Sequence, residues 1–195
     1  MKRSETKPLF YAVPLTSEAK QAIARFSGDA SSSLPFRTWV HEEDYHITLA
    51  FLGDVPPGKM APLCEAMAAV AAKSAPFSLA LAGLGTFGER TAPRIFWQGV
   101  KEEAALNELR RDVYEACLAL GFSLDRRPFA PHITIARKWQ GEAPFQLEAL
   151  RSLPAASTVF SVPEIVLYRT NMEKTPKYET IAAFPLLGAP DGRSG

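Results

Sequence analysis

Two segments of the sequence carry the residue types that acid–base chemistry needs. The chain has three histidines, and two of them open nearly the same tetrad: His46 begins His-Ile-Thr-Leu and His132 begins His-Ile-Thr-Ile. In a β-strand successive side chains alternate between two faces, so each histidine shares a face with the threonine two residues later, Thr48 or Thr134. Two such strands across a groove would bring two imidazoles and two hydroxyls together. The pattern therefore predicts a site that binds an anion and transfers protons.

A single histidine in an apolar strand is more often a hydrogen-bonded core residue than a catalyst. Here the repetition of both the histidine and its threonine favours catalysis by His46 and His132. His41 stands in the polar segment His-Glu-Glu-Asp-Tyr and has no counterpart in the second half. We expect His41 to be a solvated loop residue.

Other kinds of catalytic site fit the sequence less well. Neither tetrad has a cysteine or an acidic residue at the spacing of zinc ligands, although a two-histidine metal site stays open as a minor alternative. The sequence also lacks a serine-nucleophile elbow, a phosphate-binding glycine-rich loop and a dinucleotide fingerprint. We predict a site that works with side chains alone, without a metal or a cofactor.

Composition and charge describe an ordinary globular chain. Its 195 residues are 47% hydrophobic and carry a formal net charge of +1, so no global field draws it to nucleic acid or to a membrane surface. No apolar stretch approaches the ~20 residues that a spanning helix needs, and the N-terminus lacks a signal peptide's apolar run. Cys64 and Cys117 stand far apart in segments typical of helices, which favours buried thiols. We expect a cytoplasmic protein.

The remaining segments alternate between patterns typical of helices and of strands. Thr16 or Ser17 is expected to cap a first helix that Gly28 ends, and Gly121 to end a long one. Helices are predicted at 16–28, 56–75 and 102–120, a short amphipathic piece at 145–153, and strands at 9–13, 77–85, 94–100, 164–170 and 178–186, besides the two histidine strands. Helix followed by strand in each half suggests a duplicated unit. We predict an α+β fold of two lobes packed around one groove, forming a single domain over 1–188, with a flexible tail at 189–195.

Several segments of the chain resemble those of a known family. The segments "TWVHEEDYHITLAFLGDV", "LGTFGERTAPRIFWQGV", "RRPFAPHITIARKW" and "VLYRTNMEKTPKYETIAAFPL" are similar to those of the two-histidine phosphoesterase superfamily, and within it of the bacterial RNA 2',3'-cyclic phosphodiesterases, formerly named 2'-5' RNA ligases. The resemblance implies two pseudo-symmetric lobes, each a mainly antiparallel sheet flanked by helices, with the active-site cleft between them. It also implies hydrolysis of a ribose 2',3'-cyclic phosphate to a 2'-phosphate, with a reverse RNA-joining activity in some relatives.

Acid–base chemistry agrees with that implication. Opening a cyclic phosphodiester with water needs one proton taken from the nucleophile and another given to the departing oxygen. Since imidazole titrates near pH ~6.5, one neutral and one protonated histidine can coexist around neutrality at modest cost. By resemblance, His46 is the acid and His132 the base, although the nearly symmetric motifs do not assign these roles. Thr48 and Thr134 would donate to the nonbridging phosphate oxygens.

The two motifs differ in the residues that come after each tetrad. Arg137 and Lys138 stand where the first motif has Phe51 and Leu52. The resemblance points to Arg137 as a phosphate ligand, yet strict alternation puts Lys138 on the face of His132 and Arg137 on the other face. Arg137 reaches the site only if the strand ends or bulges near Ala136. We favour Arg137, because its planar guanidinium suits phosphate, and keep Lys138 as the alternative.

Other candidates for binding RNA are indicated by position and chemistry. Arg126 and Arg127 could extend a local basic patch or be solvated loop charges. Aromatic side chains at a cleft edge commonly stack on bases, and by resemblance Phe10 is the candidate. The expected partner is RNA or an oligonucleotide with a 2',3'-cyclic phosphate end; we expect a monomer, with no membrane contact and no obligate protein partner.

Three alternatives to this function stay open. A non-catalytic module could hold 2'-phosphorylated or 2'-5' linked RNA with the same threonines and Arg137, although intact histidines in both motifs argue against it. A metal-dependent hydrolase would lose its activity to chelators. An enzyme of the same class could prefer 2'-5' linked oligonucleotides to cyclic ends.

Overall fold

A computed structural model describes residues 7–189, which form two antiparallel sheets with helices packed against them. Along the chain the elements are β1 (Leu9–Pro14), α1 (Ser17–Ser31), β2 (Phe36–Trp39), a 3₁₀ turn (Glu42–Asp44), β3 (His46–Gly53), α2 (Pro57–Lys73), β4 (Phe77–Gly88), β5 (Pro93–Val100), α3 (Ala104–Ala119), β6 (His132–Trp139), α4 (Glu148–Arg151), β7 (Val159–Val162), β8 (Glu164–Thr170) and β9 (Tyr178–Pro185). The α+β class predicted from the sequence is confirmed.

Each sheet holds one of the two histidine strands. The first sheet has the order β3-β1-β8-β9 and the second the order β2-β6-β5-β4-β7, with antiparallel pairing throughout. Strand β3 lies at the edge of the first sheet and contacts β6 of the second. The two histidine motifs therefore meet where the sheets meet.

The helices connect the two halves of the chain. Helix α1 packs against β2 and β7 of the second sheet, although β1, which precedes it, belongs to the first. Helix α3 from the second half packs against β3 and α2. One hydrophobic core accordingly spans both sheets, and it includes the inward residues of both motifs, Ile47, Leu49, Ile133 and Ile135. The prediction of one bilobal domain over 1–188 stays a prediction, and 190–195 of the expected tail lie outside the described residues.

Helix α1 begins as predicted but runs further than predicted. Thr16 is its N-cap, and the Thr16 hydroxyl accepts a hydrogen bond from the Ala19 amide at 3.4 Å. The helix passes through Gly28 and continues to Ser31, so the prediction of a stop at Gly28 was wrong. Ala30 lies one turn after Phe26 on the same face and is 1% exposed, so burial extends the helix past the glycine. Gly121, in contrast, follows α3 with φ of +79°, as expected for a glycine that ends a helix.

The sequence analysis missed two short strands and shortened a third. Strands β2 and β7 have four residues each and pair with β6 and β4, which lie far away in the sequence. Strand β4 runs to Gly88, three residues beyond the predicted end at residue 85. In each case pairing with a partner remote in sequence, rather than local pattern, decides the conformation.

Two further expectations concern the helices and the thiols. Within the described residues, no helix is both long and apolar enough to cross a bilayer. Cys117 is buried and Cys64 half-buried, and both are free thiols. Burial raises the pKa of the Cys117 thiol to about 12, so this sulfur is unreactive at neutral pH.

Gly28 and Gly121 make a matched pair for testing this account of the helices. Gly28 sits inside α1 with open space around the position of a Cβ, whereas Gly121 has positive φ. Gly28→Ala should raise the free energy of unfolding by about 0.5–1 kcal/mol, because alanine loses less backbone entropy in a helix. Gly121→Ala should lower it by about 1 kcal/mol, because a Cβ disfavours the left-handed region. Urea denaturation of both variants measures the difference, and equal shifts would contradict the assignment of Gly28 to the helix interior.

Candidate active site

Both histidine rings are held in the same way by their own strands. His46 Nδ1 lies 2.7 Å from the Asp44 carbonyl oxygen, and His132 Nδ1 lies 2.8 Å from the Ala130 carbonyl oxygen. A carbonyl only accepts, so in each neutral ring Nδ1 carries the proton and Nε2 has a free lone pair. His46 Nε2 lies 3.1 Å from the Thr48 hydroxyl, which can donate to it. Each motif thus presents a basic Nε2, and in the first motif it lies beside the threonine.

Aromatic rings surround both imidazoles. Around His46 the ring centroids of Phe10 and Tyr178 lie at 4.9 and 5.0 Å and that of Tyr168 at 5.9 Å. Around His132 the rings of Phe87 and Trp97 lie at 4.8 and 6.4 Å. These rings fix the imidazoles and remove water from them.

Loss of water lowers the pKa of both histidines. Burial lowers the pKa of His46 from 6.5 to about 4; its bond to the Asp44 carbonyl opposes the shift, while the charges of His132 and Arg137 add to it. Burial also lowers the pKa of His132, again with a contribution from Arg137. Both rings are therefore neutral at pH 7 in the empty cleft. The expectation that one protonated ring exists there at modest cost is wrong for the free protein, because desolvation outweighs the hydrogen bonds that favour the cation.

A β-bulge follows the threonine in each motif. In β3 the register skips Leu49, since Ala12 pairs with Thr48 but Tyr11 pairs with Ala50. In β6 the register skips Ile135, since Trp97 pairs with Thr134 but Phe96 pairs with Ala136. The result in both strands is a pair of adjacent buried residues, Leu49–Ala50 and Ile135–Ala136, where strict alternation would bury only one of the two.

The bulge decides which cation joins the histidines. It returns Arg137 to the face of His132 and Thr134, and the Arg137 charge acts on both histidines and on the Tyr178 hydroxyl. Arg137 and Lys138 are both exposed, but Lys138, which strict alternation had placed on that face, adopts φ of +61°. Its charge is not among those that shift either histidine pKa. The structure thus brings Arg137 to the histidines, through a bulge one residue before the expected position.

The equivalent bulge in the first motif places Phe51 on the face of the strand that carries His46 and Thr48. By position after the tetrad, Phe51 corresponds to Arg137, and its side chain is 56% exposed on the face of His46 and Thr48. One lobe therefore presents a guanidinium to the cleft and the other presents a phenyl ring.

Phe10 takes a different place from the expected one. Its side chain is only 3% exposed and packs against the His46 ring, with Tyr168 and Tyr178 around it. A ring so covered has no free face for a nucleobase, so the stacking role proposed for Phe10 is not supported. Its contact with His46 instead keeps that imidazole out of water.

Sequence reasoning missed a buried carboxylate that supports His46. The Asp44 side chain is 5% exposed and accepts from the Lys177 amide at 2.9 and 3.0 Å and from the Tyr178 amide at 3.1 Å. The Asp44 carbonyl holds the imidazole at the same time. One residue therefore ties the first motif to the start of β9. Asp44 stands in a run of acidic residues, and that context gave no signal that it would be buried.

The remaining predicted site residues lie partly in the cleft and partly at the surface. Thr134 follows His132 on β6 and pairs with Trp97 across to β5. Thr48 and His132 line one cavity of about 740 Å³, which extends away from the histidines over Phe51 and the segment that precedes β6. His41 is exposed, and its ring accepts from the Glu43 amide at 3.2 Å at the start of the 3₁₀ turn. Arg127 forms an exposed ion pair with Asp125.

Comparison with known proteins identifies the family. The model of the family described as LigT-like phosphoesterase matches residues 13–97 and 99–178. The chain belongs to the LigT-like phosphoesterase family. The matched ranges contain both histidine motifs, Arg137 and the acidic turn before β3.

Three relatives of this LigT-like chain illustrate how similar known members are. An RNA 2',3'-cyclic phosphodiesterase of Geobacillus stearothermophilus is 95% identical over the whole chain, which spans 61% of that relative's length. The crystal structure of the Thermus thermophilus protein TT0787 superposes with a TM-score of 0.77 at 27% identity, covering 94% of this chain and 100% of that one. The structure of Escherichia coli LigT complexed with 3'-AMP gives a TM-score of 0.76 at 25% identity, covering 93% and 99%.

The described part of this LigT-like chain contains no group of three or more His, Cys, Asp or Glu side chains arranged to hold a metal ion. The groups that the cleft does bring together are the two imidazoles, the Thr48 hydroxyl beside His46 and the Arg137 guanidinium. These groups can accept a proton, donate a proton and bind an anion.

The lowered histidine pKa values can be tested without substrate. In a pH titration followed by NMR, His46 should titrate near pH 4 and His132 below 6.5. The unfolded chain binds these protons at pH ~6.5. The folded state should therefore lose stability as the pH falls from about 6.5 towards 4, and this loss should shrink in His46→Gln. A His46 signal that titrates at or above pH 6.5 would contradict the buried, aromatic environment.

Proposed function

We propose that the chain hydrolyses the 2',3'-cyclic phosphate at the end of an RNA or nucleotide to a 2'-phosphate, by acid–base catalysis between His46 and His132 and without a metal ion. The observation that carries the proposal is the pair of imidazoles, each fixed through Nδ1 with its Nε2 unprotonated, and both close to the charge of Arg137. The name of the Geobacillus relative, RNA 2',3'-cyclic phosphodiesterase, supports it, as does the 3'-AMP bound by the E. coli protein.

In the proposed reaction His132 acts as the base and His46 as the acid. His132 Nε2 takes a proton from water as the water oxygen bonds to phosphorus. The bond between phosphorus and the ribose 3'-oxygen breaks, and His46 Nε2–H protonates that oxygen. The ester to the 2'-oxygen is kept, so the product is a 2'-phosphate. Each proton transfer typically contributes ~10²–10⁴ to the rate.

Thr48, Thr134 and Arg137 bind the phosphate in this proposal. The hydroxyls and the guanidinium donate to the nonbridging oxygens, where negative charge grows in the transition state. In the free protein the Thr48 hydroxyl already lies 3.1 Å from His46 Nε2. A phosphate oxygen bound next to both groups would accept hydrogen bonds from the Thr48 hydroxyl and from protonated His46 Nε2. Lys138 stays a lesser candidate, because it lies beyond the bulge with positive φ.

The negative charge of the substrate favours the protonated histidine that the free cleft lacks, and solvent supplies the proton. A cyclic phosphodiester brings one negative charge next to two neutral imidazoles, and an adjacent anion raises a histidine pKa. We therefore propose that His46 becomes protonated on substrate binding rather than before it. The lowered pKa keeps His46 unprotonated until a phosphate is bound beside it.

The same machinery can join RNA ends. A 5'-hydroxyl in the place of the attacking water would form a 2'-5' linkage, and cleavage of that linkage would run through the same groups in reverse. Because both motifs come from one chain, a monomer suffices for either direction. No metal, cofactor or protein partner is part of the proposal.

The first test measures turnover directly. An RNA oligonucleotide with a 2',3'-cyclic phosphate end is incubated with the protein in the presence of a chelator, and the product is identified by mass spectrometry and phosphatase sensitivity. We expect gain of one water to give a 2'-phosphate, and a loss of about 10²-fold or more in kcat/KM for both His46→Ala and His132→Ala.

A modified substrate separates the two roles. With sulfur in place of the 3'-oxygen, the leaving group is a thiolate, whose conjugate acid has a pKa near ~8.5 and needs no protonation. The thio substrate should restore much of the activity of His46→Ala and little of that of His132→Ala; the opposite pattern would exchange the roles. Binding without turnover would identify a binding module, and loss of activity with the chelator alone would identify a metal-dependent hydrolase.

Arg137 and Lys138, which are adjacent in β6, are expected to contribute differently to catalysis. Arg137→Ala should lower kcat/KM by about 10²-fold, because it removes a charge-assisted donor from the transition state. Lys138→Ala serves as its matched control, since it removes one positive charge from the next residue, and it should change kcat/KM by less than about threefold. Steady-state kinetics at constant ionic strength compares them. A larger loss in Lys138→Ala would mean that the strand alternates through the bulge position after all.

A further inference from the structure

The cavity beside the histidines is larger than the reacting group requires. It has a volume of about 740 Å³ and lies between the middle of β3, the end of β4, the start of β5, helix α3 and the segment 124–130. Thr48 and His132 line one part of it. Three phenylalanines are also in its lining, Phe51, Phe87 and Phe129. A cyclic phosphate held at the histidines would therefore leave space for the body of its nucleotide.

Arg110 supplies a cation to this cavity from helix α3. Its guanidinium carbon lies 4.1 Å from the centre of the Tyr114 ring and 5.3 Å from that of Phe129. Aromatic rings that cover the faces of a guanidinium orient the group while its N–H edges stay available to an acceptor. Arg110 is half-buried and makes no ion pair with a carboxylate of residues 7–189.

The other arginines nearby are neutralised. Arg127, the second arginine that lines the cavity, forms an ion pair with Asp125, and Arg111 on the next position of α3 forms one with Asp112. Asp125 also lines the cavity and its charge acts on Arg110, but its ion pair is with Arg127, so Arg110 leaves the described part of the cavity wall with one net positive charge. Charge complementarity favours an anionic group in this part of the cavity.

Phe51 presents an exposed aromatic ring to the same cavity. The bulge in β3 directs its ring to the face of Thr48, it lines the same cavity as Arg110, and it is 56% exposed. A phenyl ring exposed beside a phosphate site offers a face on which any nucleobase can stack.

We propose that this cavity is the subsite for the RNA body, in which Phe51 stacks on the base of the terminal nucleotide and Arg110 binds the phosphate on its 5' side. The proposal rests on the function proposed above. A nucleoside 2',3'-cyclic phosphate has one phosphate, which the histidines, threonines and Arg137 hold. A second cation in the same cavity has an anion to bind only when the substrate carries a second phosphate. The chain therefore selects RNA ends over mononucleotide cyclic phosphates.

Three substrates of increasing size test the role of Arg110. They are a nucleoside 2',3'-cyclic phosphate, the same compound with a 5'-phosphate, and a dinucleotide with a cyclic end. The intact protein should show a kcat/KM at least about tenfold higher for the second and third than for the first, as expected for a charge-assisted contact to phosphate. This preference should weaken as the salt concentration rises.

Substitutions of Arg110 then test whether this residue causes the preference for a second phosphate. Arg110→Gln should bring the ratio between the second and the first substrate close to one, and Arg110→Lys should keep part of it. Arg111→Gln is the matched control, since it removes an arginine from the next position, outside the cavity, and should keep the full ratio. Thermal unfolding of each variant checks that the packing of Tyr114 survives. Phe51→Ala should raise KM for all three substrates by about tenfold, because all three carry the base.

The outcomes separate this proposal from the function on which it rests. Equal kcat/KM for all three substrates in the intact protein, or equal losses on all three in Arg110→Gln, would overturn the subsite while leaving the phosphodiesterase activity in place. If none of the substrates is turned over, the proposed function fails. Calorimetry with a nucleoside 2'-phosphate, with and without a 5'-phosphate, then decides the subsite alone: tighter binding of the bisphosphate that Arg110→Gln abolishes supports it, and equal binding overturns it.

Discussion

The chemistry of the cleft depends on one hydrogen bond made twice, from a histidine Nδ1 to the carbonyl oxygen two residues earlier in the chain. Because a carbonyl cannot donate, this bond fixes the tautomer, and with it which nitrogen faces the cleft. The accepting carbonyl belongs to the residues just before each strand, so the conformation of the backbone where the strand begins sets the orientation of the ring. For His46 that conformation is itself fixed, since the Asp44 carboxylate binds the amides of Lys177 and Tyr178. Local backbone geometry and a long-range contact thus orient the same imidazole.

Desolvation lowers the pKa of each histidine by more than these hydrogen bonds raise it. The rings of Phe10, Tyr168 and Tyr178 make His46 a poor proton carrier in the free protein, with a pKa of about 4. The same desolvation strengthens every interaction with a bound phosphate, because charges attract more strongly where water is excluded. An environment that penalises an isolated imidazolium is therefore the one in which an imidazolium paired with phosphate is most stabilised. The aromatic rings disfavour protonation of His46, and the phosphate bound in the proposed reaction would favour it.

Much of this arrangement could be predicted from the sequence, because it depends on interactions between residues that are close together in the chain. The repeated His-x-Thr, the helix cap at Thr16 and the α+β class all follow from periodicity and residue type. The position of Arg137 required a bulge, and its signal was present in the sequence as the apolar pairs Leu49–Ala50 and Ile135–Ala136, which strict alternation does not explain. Asp44 and Arg110 could not be found in this way. Their significance comes from Lys177, Tyr178 and Phe129, which approach them only in the folded chain.

A cleft built from two copies of one motif has no intrinsic direction. A phosphate could enter it in two orientations, which differ by an exchange of the partners of the two imidazoles. The equivalent bulges in β3 and β6 put different side chains at corresponding places, Phe51 in one lobe and Arg137 in the other. An anion is attracted to one of these groups and an apolar ring to the other, so the two orientations no longer have equal energy. A single pair of unlike residues thereby makes the two directions along a nearly symmetric cleft unequal, and a molecule with two different ends would be favoured there in one direction.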